Sequence, residues 1–103
     1  MEQKNYAGIA IDLNDDGYMV NIDQWNKDVA AEIAKEEEIE LTDKHFEVLE
    51  FIRNKVKSGE TLTIRAIGKS GIVDIKGLYQ LFPGGPLKKA TRIAGVLKPA
   101  SCV

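Results

Sequence analysis

The chain has one cysteine, one histidine, one tryptophan and three prolines in 103 residues, and no apolar run of membrane-spanning length. Each shortage excludes something. A lone thiol, Cys102, cannot close an internal disulfide. It is second from the end, where prenylation would need a cysteine fourth from the end, so no lipid anchor is expected. The opening residues MEQKNYAGIAI lack the basic stretch and long apolar core of a signal peptide, which points to a cytoplasmic protein whose cysteine stays reduced. An excess of one charge is missing too. With 14 Lys and Arg against 16 Asp and Glu, the net charge of -2 gives no global pull toward nucleic acid or an anionic membrane. Partners must be chosen by local surface, and no cofactor or metal is expected.

What is present is an ordinary globular composition, 44% hydrophobic and 29% charged, in a length that fits one domain. Ile9, Ile11 and Leu13 alternate with Ala10 and Asp12, and Tyr18, Met19 and Val20 resume after Asn14-Asp15-Asp16-Gly17. That pattern predicts a β-hairpin turning at the Asp/Gly segment. Asp12, Asn14, Asp16 and Gly17 also match the start of a calcium loop. Its last ligand position holds Asp23 in place of glutamate, and the preceding segment alternates like a strand, so a plain hairpin turn is the expected reading.

Asn21 or Asp23 can cap a short turn carrying Trp25, read as a packing anchor. Val29, Ala30, Ile33 and Ala34 then repeat at helical spacing up to Glu36-Glu37-Glu38, which oppose the helix dipole and are expected to fray into solvent. Thr42 caps a second helix whose core face is Val48, Leu49, Ile52 and Val56, ended by Gly59. His45, in its first turn, is expected to be structural; as a general base it would need a nucleophile beside it. Thr61 to Lys69, a turn at Ser70-Gly71-Ile72, and Val73 to Phe82 read as a helix-turn-helix-like unit. Its expected core is Ile64, Ile67, Ile72, Ile75, Leu78 and Leu81. Arg65, Lys69 and Lys76 could meet phosphates, so a DNA-binding regulator stands as an alternative, although only Gln80 and Lys76 could read bases. Gly68-Lys69-Ser70 is no P-loop, because Thr63 stands where its first glycine is needed.

Pro86 opens a last helix to Ala94, closed by Gly95, with Leu87, Ala90 and Ile93 or Ala94 inward. Lys88, Lys89 and Arg92 are expected to project outward, joined by Lys98. They form either a solvated basic face or a docking site for an acidic partner. The fold class expected is mainly α (α+β): a small helical domain, 1–94, with an N-terminal β-hairpin and the helix-turn-helix-like unit, then a flexible C-terminal arm, 95–103, carrying Cys102. Eight residue steps from Gly95 to Val103 extend to about 25 to 30 Å.

Tyr79, Leu81-Phe82-Pro83, Gly85-Pro86, Ala94-Gly95, Lys98-Pro99 and Cys102 together resemble the C-terminal signature of the DsrC/TusE family of sulfur-trafficking proteins. The resemblance extends upstream through Gly17-Tyr18, Gln24-Trp25, Leu41-Thr42 and His45, over nearly the whole chain. It implies a persulfide carrier that takes sulfur on Cys102 from a DsrEFH-like (TusBCD) complex and passes it on, with a sulfurtransferase-type role in tRNA 2-thiouridine formation as the leading expectation. Two-cysteine members carry a second cysteine where this chain has Thr91, so their intramolecular trisulfide chemistry with dissimilatory sulfite reductase is expected to be absent. Leu97 stands where the family usually has proline, and the segment around Ser70 to Lys76 is shorter than in typical TusE proteins. A single-cysteine DsrC-like carrier of dissimilatory sulfur metabolism is therefore the alternative acceptor route. An adaptor without sulfur chemistry is a third. The Val103 carboxylate favours the neutral thiol of Cys102, so activation is expected from Lys98 or Arg92, or from basic groups in a partner's pocket.

Overall fold

The computed structural model describes residues 2–98. Two strands and five helices follow one another among them: β1 (Glu2–Tyr6), β2 (Ile9–Leu13), α1 (Lys27–Glu36), α2 (Asp43–Lys57), α3 (Ile64–Gly68), α4 (Ile75–Leu81) and α5 (Pro86–Ile93). A single 3-10 turn, Ile22–Gln24, sits between β2 and α1. The small α+β domain expected from the sequence is the one observed. None of the described helices is long and apolar enough to cross a membrane.

The hairpin lies one turn earlier than its apolar pattern predicts. β1 and β2 pair antiparallel with Tyr6 opposite Ile9. The two residues between them, Ala7 and Gly8, both have positive φ, 54° and 81°. That is the geometry of a tight turn whose twist matches the strands. β1 exposes every residue but Tyr6, so it carries no alternating apolar signal. At Asn14–Gly17, where the hairpin turn was expected, the Asn14 side chain accepts from the Asp16 and Tyr18 amides, and only a Leu13–Met19 bridge follows. No strand can grow there, because Asn21 caps the 3-10 turn almost at once. Of the candidate calcium ligands, Asp12 has its carboxylate held by Gln3 and Gln24.

Side-chain caps start four of the five described helices, three of them at residues the sequence pattern did not single out. Asn26 accepts from Val29 N to open α1, Thr63 from Ala66 N to open α3, and Asp74 from Gly77 N to open α4. Thr63 and Asp74 make α3 and α4 shorter than the predicted Thr61–Lys69 and Val73–Phe82 helices. Thr42 and His45 form a reciprocal cap at α2.

The core draws on every element: Tyr6 and Ile11 from the hairpin, Val29 and Ile33 from α1, Leu49 and Ile52 from α2, Ile67 from α3, Leu78 from α4, Leu87 and Ile93 from α5. Two expected core residues are corrected. Ile75 is 46% exposed and Val56 37% exposed. α4 turns Leu78 and the following Phe82 inward, and a residue three before Leu78 and four before Tyr79 shares the outer face with Tyr79, itself 46% exposed. Val56 lies in the last turn of α2, past the packed surface.

Arg53 is the interior residue that apolar periodicity does not announce. It is buried on the Leu49–Ile52 side of α2, its guanidinium stacked 4.3 Å from the Trp25 ring centroid. It donates to Ala94 O at 2.9 Å and Ile22 O at 2.8 Å. Burial lowers its pKa, opposed by the charges of Glu50 and Asp23. Arg53→Met keeps much of the apolar stem and strands two carbonyls at roughly 1–3 kcal/mol each. The expected loss is about 2–6 kcal/mol, read as a lower midpoint in urea denaturation at neutral pH.

Candidate functional site

The C-terminal end of α5 is the point from which the chain runs on toward Cys102. Gly84 and Gly85, with φ of 78° and 117°, deliver the chain to Pro86 at the first helical position. There a ring without an N–H costs nothing. α5 packs against α1, α2 and α4, burying Leu87, Ala90, Thr91 and Ile93.

A helix normally leaves its last carbonyls without partners. Here each is accounted for. Ala90 O accepts from Ala94 N, Thr91 O from Val96 N, and Arg92 O from Gly95 N. The last two form a paired closure through the left-handed Gly95, at φ 74°. Ile93 O accepts from Trp25 Nε1 at 2.7 Å, and Ala94 O from Arg53. A side chain at residue 95 is sterically excluded, since its Cβ would collide with the Trp25 indole. Gly95 and Val96 are buried, so the packed domain extends two residues into the predicted arm, and Leu97 and Lys98 are the first exposed positions. Cys102 and Pro99 lie outside the described residues.

Beside this exit is a groove of about 720 Å³, walled by Met19 and Val20, by Val56 and Leu62, and by Thr91 and Leu97. Val20, Val56 and Leu97 give it exposed apolar surface. Thr91, the position of the second cysteine in the family that the sequence resembles, is 1% exposed. Its hydroxyl donates back to Leu87 O at 2.7 Å and Lys88 O at 3.1 Å.

The four candidate docking cations do not form one cluster. Lys88 is exposed and Lys89 partly buried; with Arg92 they line a depression beside Gly17 and Tyr18. Lys98 lies on the rim of the apolar groove instead. Arg92 does not project freely. Its guanidinium meets Glu36 at 2.6 Å and Glu37 at 3.8 Å, and its Nε donates to Gly17 O. Lys4 and the Tyr6 hydroxyl complete the shell around Glu36. Glu36 and Glu37 thus hold the hairpin, α1 and α5 together, where a frayed helix end was expected. A sequence signal existed: three carboxylates set against the dipole at a helix C-terminus call for a cation from elsewhere in the chain. His45 is occupied on both ring nitrogens, Nδ1 accepting from Thr42 N and Nε2 at 2.8 Å from Leu81 O. It is a strut between α2 and α4.

Among the described residues no group of three or more His, Cys, Asp or Glu is placed to hold a metal ion. The arrangement offers a rigidly closed helix end, an apolar groove at the exit, and lysines on two sides.

A family model described as "DsrC like protein" matches residues 5–103. A sulfurtransferase TusE homolog of Haemophilus influenzae is 41% identical over 108 aligned residues, covering 96% of this chain and 98% of the relative. Among solved structures, the NMR structure of DsrC from Allochromatium vinosum superposes with a TM-score of 0.81 at 33% identity, covering 99% of this chain and 98% of that one. The oxidized gamma-subunit of the dissimilatory sulfite reductase (DsrC) from Archaeoglobus fulgidus superposes with 0.80 at 31%, covering 98% and 99%.

Burial would raise the Glu36 pKa, but hydrogen bonds from Lys4, Arg92 and Tyr6 outweigh it and hold the carboxyl below its ordinary 4.5. Folding therefore favours the ionised form. The contribution is complete above the unfolded value and disappears as pH falls through the lower folded one. In Glu36→Gln the urea midpoint should be lower at pH 7, and its fall below about pH 4.5 should be shallower than in the parent.

Proposed function

The chain belongs to the DsrC-like protein family, and from that we propose that it is a sulfur-relay protein carrying persulfide sulfur on Cys102 for tRNA 2-thiouridine synthesis. The observation that carries the proposal is a single sulfur nucleophile at the penultimate position of a chain whose family match runs to its last residue. In loading, the Cys102 thiolate attacks the terminal sulfur of a donor persulfide. A new S–S bond forms on Cys102, the donor's S–S bond breaks, and the donor leaves as a thiolate that takes up a proton. The exchange is isoelectronic and needs no oxidant.

Thr91 supports a one-cysteine cycle. It offers no sulfur, and its hydroxyl is engaged within α5. The donor on this reading is a TusBCD-like or DsrEFH-like complex and the acceptor a tRNA thiouridylase. With Gly95 and Val96 buried, the reach belongs to the residues after Val96. Six residue steps to Cys102 span about 20 Å when extended, enough to enter a partner's pocket but not to cross a large complex. Lys98 and Lys88 remain candidates for contacting the partner or favouring the thiolate, whereas Arg92 is committed to Glu36.

A second reading, a single-cysteine carrier serving sulfite reductase, draws on the likeness to the sulfite reductase gamma-subunit and on the short segment before α4. The DNA-binding alternative finds no support in these relatives, and α3 and α4 have only five and seven residues.

Mixed with a persulfide-loaded donor, the reduced chain should gain the mass of one sulfur, reversed by reductant and missing in Cys102→Ala. Passage of labelled sulfur to tRNA through a thiouridylase, but not to sulfite reductase, separates the two routes. No mass gain from any competent donor would leave an adaptor, which should tolerate Cys102→Ser.

A further inference from the structure

Away from the exit groove, α3 and α4 carry a surface that the relay chemistry does not use. Arg65, Gly68, Lys69, Asp74, Ile75 and Lys76 line a shallow depression of about 570 Å³, sharing no residue with the groove at the exit. Arg65, Lys69 and Lys76 are all exposed, and among the described residues none of them forms an ion pair. Among the residues lining the depression the one acid is Asp74, whose Oδ1 accepts from Gly77 N at 2.7 Å. The floor is open because residue 68 is glycine; a Cβ there would lie 2.9 Å from Ile75 Cγ1. Ile75 and Tyr79, one helical turn apart, are both nearly half exposed. In a chain of net charge -2, three cations thus line one depression together with an exposed apolar side chain, Ile75, and Tyr79 follows one turn along α4.

An apolar centre ringed by charge is the anatomy of a protein-binding surface, with tyrosine and arginine the residue types favoured in it. Duplex nucleic acid would set its phosphates against Ile75, gaining nothing from that exposed apolar side chain. The sign of the three cations selects the partner's sign. A tRNA-modifying acceptor must itself present positive surface to phosphates and would be repelled here. We propose that the α3–α4 face, Arg65, Lys69 and Lys76 beside Ile75 with Tyr79 one turn along, docks an acidic protein surface with an apolar centre on the partner that loads sulfur onto the chain. This rests on the relay reading above. It divides the labour: the exit groove and tail serve transfer, and a separate face chooses the donor.

The test measures loading of Cys102 by intact mass from two sources, a persulfide-loaded TusBCD-like complex and inorganic polysulfide, the second needing no docking. The charge reversal Arg65→Glu/Lys69→Glu/Lys76→Glu should slow loading from the complex at least tenfold at low ionic strength, with the difference shrinking as salt rises, and leave polysulfide loading at the parent rate. Ile75→Ser, which keeps every charge, should slow the same step at all salt concentrations. Unchanged urea midpoints in both variants exclude a folding defect. Equal rates from the complex for the parent and the charge-reversed chain would overturn the proposal. So would duplex DNA binding that the reversal abolishes while transfer is untouched. Failure of the parent to load even from polysulfide would instead bring down the relay reading, and this proposal with it.

Discussion

The constraint on which the rest of the structure depends is the closure of α5. Its final carbonyls have no helical partners of their own, and they end in the interior where water cannot serve them. The Gly95 closure satisfies two, and Trp25 and Arg53 reach in from the connection before α1 and from α2 to satisfy two more. The arginine spans the domain, tying Ile22 to Ala94 while its flat face covers the indole. A buried guanidinium is costly unless its donors are paired, so this one holds its surroundings in a single geometry. The direction in which the described chain leaves the domain at Leu97 and Lys98 is set by that geometry.

A second tie keeps α5 from rocking on the core. Arg92 and Glu36 join at the meeting point of hairpin, α1 and α5, with Lys4 and Tyr6 on the same carboxylate. A partly buried network of several charges resists solvent screening better than an isolated surface pair. Its consequence for function is that one of the basic residues closest to the exit is spent on architecture. Positive charge for partners is left to lysines, and to the separate face on α3 and α4.

Much of the domain was legible because apolar periodicity and caps are local signals. Val29, Ala30, Ile33 and Ala34 mark the buried stripe of α1, and Thr42, Pro86 and Gly95 mark helix ends where the structure has them. β1 was not legible, since four of its five residues face solvent and its pairing depends on a two-residue turn at Ala7-Gly8. Ile75 misled for the opposite reason: an apolar residue in a helical pattern is not buried unless a neighbour covers it.

By itself the sequence determined the apolar stripe of α1, the Thr42 cap, the Pro86 start and Gly95 stop of the last helix, the lone thiol Cys102, and the threonine standing where two-cysteine relatives have a second. These are properties of residue type and spacing, which a chain carries whether folded or not. Tertiary structure alone decided that Arg53 is interior, that Arg92 is a strut rather than a free cation, that Gly95 and Val96 belong to the core, and that Arg65, Lys69 and Lys76 line one depression with exposed Ile75. Each depends on which residues distant in sequence come into contact. Charge and burial are pairwise quantities, and no spacing along the chain states the partner.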